Sequence, residues 1–208
     1  MKRGILGILA LSALFLMCDR SKSIMETGAP FSSLDIALKF KGPVYQGTFY
    51  NVSVNTDYVI WIENAARQYI RTLRITPTAV TVGTHGSHVE HLPAWMAKSG
   101  VTYAGLSALT TDGVPAPFDA MTSASPVFDG DTVIVATVNW DLKDQDGKPV
   151  STGLYHCCAE AANLIKNTAD DTQIVAENTS ASIDLKTGTV NAASPTAHIL
   201  EIAVTPKE

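Results

Sequence analysis

Between Asp131 and Ala162 the chain alternates, breaks and turns apolar again, and that pattern limits what the chain can become. Val133, Val135 and Thr137 fall on one side of an extended backbone, with Ile134, Ala136, Val138 and Trp140 on the other. A period of two, rich in β-branched residues, is the signature of a strand and not of a helix. Residues 141–153 then turn polar, and Asp146-Gly147 and Gly153 supply turn chemistry. Leu154 to Ala162 is apolar again. Strand, turn-rich connection, strand: the unit predicts a hairpin or arch inside an all-β domain.

The same period recurs along the chain. Leu34, Ile36, Leu38 and Phe40 alternate ahead of Gly42-Pro43, and Tyr45 to Val54 reads as a second, Gly-interrupted strand. Tyr58, Ile60 and Ile62 oppose Val59, Trp61 and Glu63; a turn over 64–67 leads into a return strand over 68–75, where Arg71 and Arg74 read as solvated. Further strands are expected over 172–177, 181–185 and 197–204, with a polar connection at 163–171 and Pro206 beyond the last strand. Pro93 suits a first helical position and Gly100 a C′ position, so a short helix is expected over 93–99. Residues 101–128, punctuated by glycines and prolines, read as a long irregular loop. With about eight strands, no strand–helix repeat and no Gly-rich phosphate fingerprint, two packed antiparallel sheets are the natural solution.

The N-terminus carries a targeting signal. Lys2-Arg3 precedes an apolar run from Ile5 to Met17 that ends at Cys18 and is followed by charged residues. This is a signal-peptide layout, with a core too short to span a bilayer comfortably. A cysteine closing the run resembles a bacterial lipoprotein signal, in which Cys18 is acylated and becomes the first residue; an uncleaved anchor and ordinary secretion are the alternatives. The expected organisation is a signal segment over 1–18, a tether over 19–31 and a single domain over 32–206. Cleavage before Cys18 removes Lys2 and Arg3 and no acid, moving the formal charge from −5 to −7. Such a surface excludes a basic nucleic-acid footprint and disfavours adsorption to anionic lipid, so a lipid chain would do the anchoring.

Four motifs in order resemble an uncharacterised bacterial family of predicted periplasmic proteins. Tyr58–Ala65 with Tyr69–Leu73 is similar to its W-I-E-D strand, turn and Y/F-V-R/K-T-L strand. His91, Leu92, Pro93 and Trp95 match H-L-P-x-W, and residues 119–125 approximate D-A-V/I-T-G-A-T. Trp140, Asp141, Asp146, Gly147, Pro149, Val150, Gly153 and Tyr155 match W-D…D-G-x-P-V-x-x-G-x-Y, which also resembles the Ig-like domain of flagellar hook-capping proteins. Ser123 and Leu142 stand where the pattern carries glycine, which predicts a changed loop path at each. The resemblance implies an Ig-like antiparallel β-sandwich, with one short helix and a long irregular loop region, in the periplasm or tethered to a membrane. It implies no reaction.

Candidate sites are few. His85, His88 and His91 have an H-x₂-H-x₂-H spacing that would suit Zn²⁺, Cu²⁺ or Ni²⁺. The plainer reading has His91 bracing its loop through a ring nitrogen on backbone, with Trp95 in the core. Cys157 and Cys158 point to opposite faces of a strand, one thiol buried and one more exposed. The acids of 141–147 read as turn formers and not as a calcium loop. The chain contains no G-x-S-x-G elbow and no H-E-x-x-H helix. The expectation is a non-enzymatic accessory or binding module of the bacterial envelope. It would need no cofactor and no nucleic acid, and would engage an envelope protein or a small ligand through the 84–128 region. The alternative is a periplasmic Zn, Cu or Ni protein using the three histidines.

Overall fold

Alternating strands need a second apolar face to cover the first, and here two sheets supply it to each other. The computed structural model describes residues 28–41, 57–80, 89–109, 127–128, 133–166 and 172–208. Its strands are β1 (Ser33–Lys41), β2 (Asp57–Asn64), β3 (Tyr69–Ile75), β4 (Val127–Phe128), β5 (Val133–Trp140), β6 (Leu154–Lys166), β7 (Thr172–Asp184), β8 (Thr189–Asn191) and β9 (Ile199–Lys207). Three short helices, α1 (Pro77–Val80), α2 (Pro93–Ser99) and α3 (Tyr103–Leu109), and a 3₁₀ turn at Val89–His91 lie between β3 and β4. The strands form a four-stranded sheet, β4-β5-β1-β9, and a five-stranded sheet, β3-β2-β6-β7-β8. Every pairing is antiparallel. The expected Ig-like sandwich is the architecture found.

The space between the sheets is filled by the residues that the period of two selects. Leu34, Ile36, Leu38 and Phe40 of β1 meet Tyr58, Ile60 and Ile62 of β2 and Tyr155, Cys157 and Ala159 of β6, all buried. Arg74 also enters this layer, contrary to its reading as a solvated residue. It is only 7 % exposed, and donates from Nε to the Tyr58 hydroxyl at 2.7 Å and from Nη1 to the Thr137 carbonyl at 2.8 Å, so it ties one sheet to the other. A buried guanidinium is tolerable only with such partners. Arg71 does reach the surface, where it pairs with Asp141 at 3.1 Å.

Three further elements differ from the sequence reading. The expected strands at 172–177 and 181–185 are one 13-residue strand, β7, paired along its length with an equally long β6 that runs on to Lys166. Polar Asn178, Thr179 and Ser180 read as a break, yet they continue the ladder because the sheet is open to solvent beside them. Second, helix α3 lies inside the stretch expected to be loop. Third, β9 includes Pro206 in place of ending before it; β9 is an edge strand, where a missing N–H leaves no ladder bond unmade. Helix α2 covers the expected residues and ends on Gly100 at φ 73°. The strand expected over 45–54 lies outside the described residues.

The 141–153 connection is built by its acids, as expected. Asp144 Oδ1 accepts from the N–H groups of Asp146 and Lys148 at 2.9 and 2.8 Å, and Gly147 takes φ 75°. Trp140 and Tyr155 meet edge to face at 5.4 Å, and the Tyr155 hydroxyl donates to the Ser151 carbonyl at 2.9 Å. A tyrosine reaching back a few residues is a familiar brace of Ig-like corners. Leu142 corrects the expected change of path. It keeps the left-handed conformation a glycine would favour, at φ 56°, while its side chain is buried in the sandwich core. Such a backbone costs an L-residue about 1–2 kcal/mol. Truncating the side chain to either alanine or glycine removes the same packing, but only glycine relieves the backbone. Denaturant unfolding is therefore expected to show Leu142→Ala as less stable than Leu142→Gly by about 1 kcal/mol, the reverse of the usual order of these two residues.

Candidate functional site: a charged cleft beneath helix α2

The outer face of the five-stranded sheet is covered over β2 and part of β6. Strand β2 is buried on both sides because Val59 and Trp61 pack, with Cys158 and Ala162, under Ala79, Val80, Val89, Leu92, Trp95 and Leu106 of the helical layer. The antiparallel register sets out rows across this face: Val59 beside Glu160, Trp61 beside Cys158, and Glu63 beside His156. Strand β7 extends each row, with Asn178 beside Glu160, Ser180 beside Cys158 and Ser182 beside His156.

Helix α2 is docked on these rows by one carboxylate. Its N-cap position is Leu92, which has no side-chain acceptor to offer. Glu160, 1 % exposed, supplies it from the sheet: Oε1 accepts from the Ala94 N–H at 3.0 Å and Oε2 from the Trp95 N–H at 2.8 Å. Trp95 is then held by its indole N–H, which donates to Thr72 Oγ1 at 2.8 Å, and the Tyr69 hydroxyl shares that oxygen at 2.7 Å. The family-like motifs of β2, β3 and the 91–95 segment thus meet at one place in space. Burial pushes the Glu160 carboxyl above its ordinary value, with the two helix N–H groups pulling it back down.

Where α2 and the sheet diverge, a cleft of about 320 Å³ opens. Trp61 and Cys158 form its floor, Ala94 and Lys98 of α2 one wall, and Asn178, Thr179 and Ser180 of β7 the other. Glu63, 2 % exposed, is gripped from three sides. The Trp61 indole N–H donates to Oε1 at 3.0 Å, Lys98 Nζ lies 3.4 Å from the same oxygen, and Arg67 Nη1 lies 3.5 Å from Oε2. Arg67 Nη1 also donates to Ser180 Oγ at 3.1 Å, and Lys98 Nζ to the Arg67 carbonyl at 2.8 Å. Among the described residues, larger grooves of about 450 Å³ lie beside the 64–66 and 150–155 turns and of about 420 Å³ on the outer face of the four-stranded sheet. Each is lined by one acid and no cation. The smaller cleft has the chemistry.

The cysteines sit on opposite faces as expected, but both are buried, Cys157 in the sandwich core and Cys158 under the cleft. Neither is in a disulfide. Burial pushes the Cys157 thiol up to about 12, and burial together with the negative Glu63 pushes Cys158 higher. Both are neutral thiols at neutral pH, which is the unreactive form. His156 shifts the other way: burial and then the Arg67 cation hold it below its usual range, so it stays neutral beside Glu63.

Of the three histidines, only His91 lies within the described residues; His85, His88, Cys18 and the 119–125 motif lie outside them. His91 braces its loop through a carboxylate. Its Nδ1 is 3.0 Å from Oδ2 of buried Asp57, whose Oδ1 accepts from Thr76 Oγ1 at 3.2 Å. No grouping of three or more His, Cys, Asp or Glu side chains suited to a metal occurs among the described residues. No described helix is long and apolar enough to cross a membrane. Sequence reasoning missed Asp57, Arg67, Lys98 and Glu160. The one signal for Glu160 was an acid in the middle of an apolar strand.

Two antiparallel sheets packed as a sandwich, with a helical layer over part of one outer face, define an Ig-like β-sandwich domain. The chain belongs to the bacterial family described as predicted periplasmic protein (DUF2271), whose model matches residues 48–189. That places it in the periplasmic envelope. No curated protein and no solved structure matches it.

Two outcomes follow from the site. Because the Glu160 carboxyl is raised in the fold above its ordinary 4.5, the unfolded chain ionises first, and its stabilising share is lost as pH rises from 4.5 through the raised value. Compared by denaturation at a series of pH values, wild type should lose stability over that window relative to Glu160→Gln, which has no proton to lose. Second, Arg67→Asn removes a cation beside His156, so the imidazole is expected to titrate at higher pH in the variant, read by NMR from its ring protons.

Proposed function

We propose that the protein is an accessory binding module of the bacterial envelope, tethered through an acylated Cys18, and that the cleft beneath α2 receives a small ligand. The observation that carries this reading is the cleft itself: a concave site of about 320 Å³ with a buried aromatic and thiol floor and two half-exposed cations on its rim. Pockets for small molecules combine an apolar body with a few placed polar groups. A protein partner would want a broad surface, which a hollow of this size does not offer. The reading is one of binding without turnover, because the thiol in the floor is held neutral and the Glu63 carboxylate is already engaged by Trp61, Arg67 and Lys98.

Asn178 lies exposed on the rim and its side chain bonds no described residue, so Asn178→Trp fills the cleft without breaking a contact. Screened by thermal shift against small charged and neutral solutes, the wild-type protein should be stabilised by a subset of them and the Asn178→Trp variant by none of that subset. Equal responses of the two proteins would contradict the cleft as the site. The tether has its own test. Cys18→Ala should move the protein from the membrane pellet to the soluble envelope fraction; a variant that still sediments with membranes would remove the lipid from the proposal.

The second reading, a Zn, Cu or Ni site at His85, His88 and His91, has one observation in its favour. A carboxylate on one ring nitrogen, as Asp57 provides for His91, is the arrangement that orients imidazoles for a metal on the other. Untagged protein assayed for metal uptake, beside the triple alanine variant, decides it: stoichiometric metal lost in the variant supports the site, and equal uptake overturns it.

A further inference from the structure

The side chain that commands the cleft is held by a backbone that disfavours it. Arg67 takes φ 60° at the end of the β2–β3 turn, in the left-handed region where glycine or asparagine is the easy choice. The turn is otherwise relaxed. Asn64 Oδ1 accepts from the N–H groups of Ala66 and Gln68 at 3.0 Å each, and the Arg67 N–H donates to the Asn64 carbonyl at 2.9 Å. A residue strained in an otherwise satisfied turn points to work for its side chain. Here that side chain folds back over the sheet, 49 % exposed, to reach Ser180.

The guanidinium is only partly used. Its contacts to Glu63, Cys158 and Ser180 all run through Nη1. Nε and Nη2, whose N–H groups point the same way, form a flat two-donor fork with no partner among the described residues. A fork of this shape matches two oxygens in one plane. Lys98 Nζ, 39 % exposed, stands beside the Arg67 carbonyl, and the Asn178 amide faces the same cleft from β7. Between two cations and the single carboxylate of Glu63, these three side chains carry a net charge of +1. One added carboxylate neutralises them. Phosphate, at about −1.5 near neutral pH, would leave negative charge against Glu63.

Taking the cleft as a ligand site, as above, we infer that it selects a small organic carboxylate, with the ligand's carboxylate on the Nε/Nη2 edge of Arg67 and steadied by Lys98 and Asn178. Arg67 is the specificity determinant, and the backbone strain at its position is the structural trace of that role.

The test is calorimetric titration of the full chain, in mild detergent at low salt, with acetate, succinate and glutamate. Acetamide and inorganic phosphate serve as comparisons. At least one carboxylate should saturate a single site while acetamide does not. Arg67→Asn, which suits the left-handed backbone, should weaken that binding about tenfold or more, the scale of one charge-assisted hydrogen-bond pair. Arg67→Lys keeps the charge without the fork and should also bind more weakly than wild type, and Lys98→Met should show a loss of its own. Carboxylate binding unchanged in Arg67→Asn and Lys98→Met overturns the inference. So does phosphate saturating the site when no carboxylate binds below about 10 mM. A solute that binds wild type, ignores Arg67→Asn and is lost in Asn178→Trp removes the carboxylate assignment while leaving the cleft a binding site. Carboxylate binding lost in Arg67→Asn but kept in Asn178→Trp removes both.

Discussion

Two N–H groups at the start of α2 end on one buried carboxylate, and the layer above the sheet depends on that contact. A seven-residue helix has no stability of its own in water, and this one has no side-chain cap in its own sequence. Glu160 replaces the cap from a strand more than sixty residues further along the chain. The same carboxylate could not remain buried alone, since an uncompensated acid inside a protein is far costlier than one with two donors. Helix and acid therefore stabilise each other. Trp95 follows from the contact: with its backbone N–H fixed on Glu160, its indole reaches Thr72 and closes the second core.

The cleft is a consequence of where that docking stops. Val59, Trp61 and Cys158 lie under the helical layer, whereas the β7 residues in the same rows, Asn178 and Ser180, extend past its edge. An apolar residue at either place would face water, and the chain carries polar ones. The Glu63 carboxylate then lies at the boundary between dry floor and wet rim, where Arg67 and Lys98 can approach it from the solvent side. A stabilising contact at Glu160 and a charged opening at Glu63 are two rows of the same ladder.

Most of the sandwich was legible because it rests on a local rule. The alternation at 34–40, 57–63 and 133–140 sorts side chains between the two faces of each strand, and Pro93 and Gly100 predict α2 at both ends. What failed did so where the rule has two causes. Asn178–Ser180 read as a break because polar runs end strands as often as they line clefts. Arg74 read as solvated because nothing local announces that Tyr58 and the Thr137 carbonyl, at separations of 16 and 63 residues, will receive it. Leu142 read as a change of path because a non-glycine residue at a glycine position argues for another conformation, and burial of the leucine outweighed the backbone preference. The charged cleft was beyond sequence reading altogether. Its parts come from β2, the β2–β3 turn, α2, β6 and β7, and only the register of three strands brings them together.

The measurement that bears most directly on this account is hydrogen exchange of the backbone amides of α2 in wild type and Glu160→Ala. If Glu160 docks the helix, the Ala94 and Trp95 amides are protected in wild type. In the variant they, with the rest of α2, exchange at the rate of an exposed segment, while β1, β5 and β9 in the opposite sheet keep their protection. Protection of α2 that survives Glu160→Ala would contradict the account, and would mean that apolar packing of Trp95 alone holds the layer over the cleft.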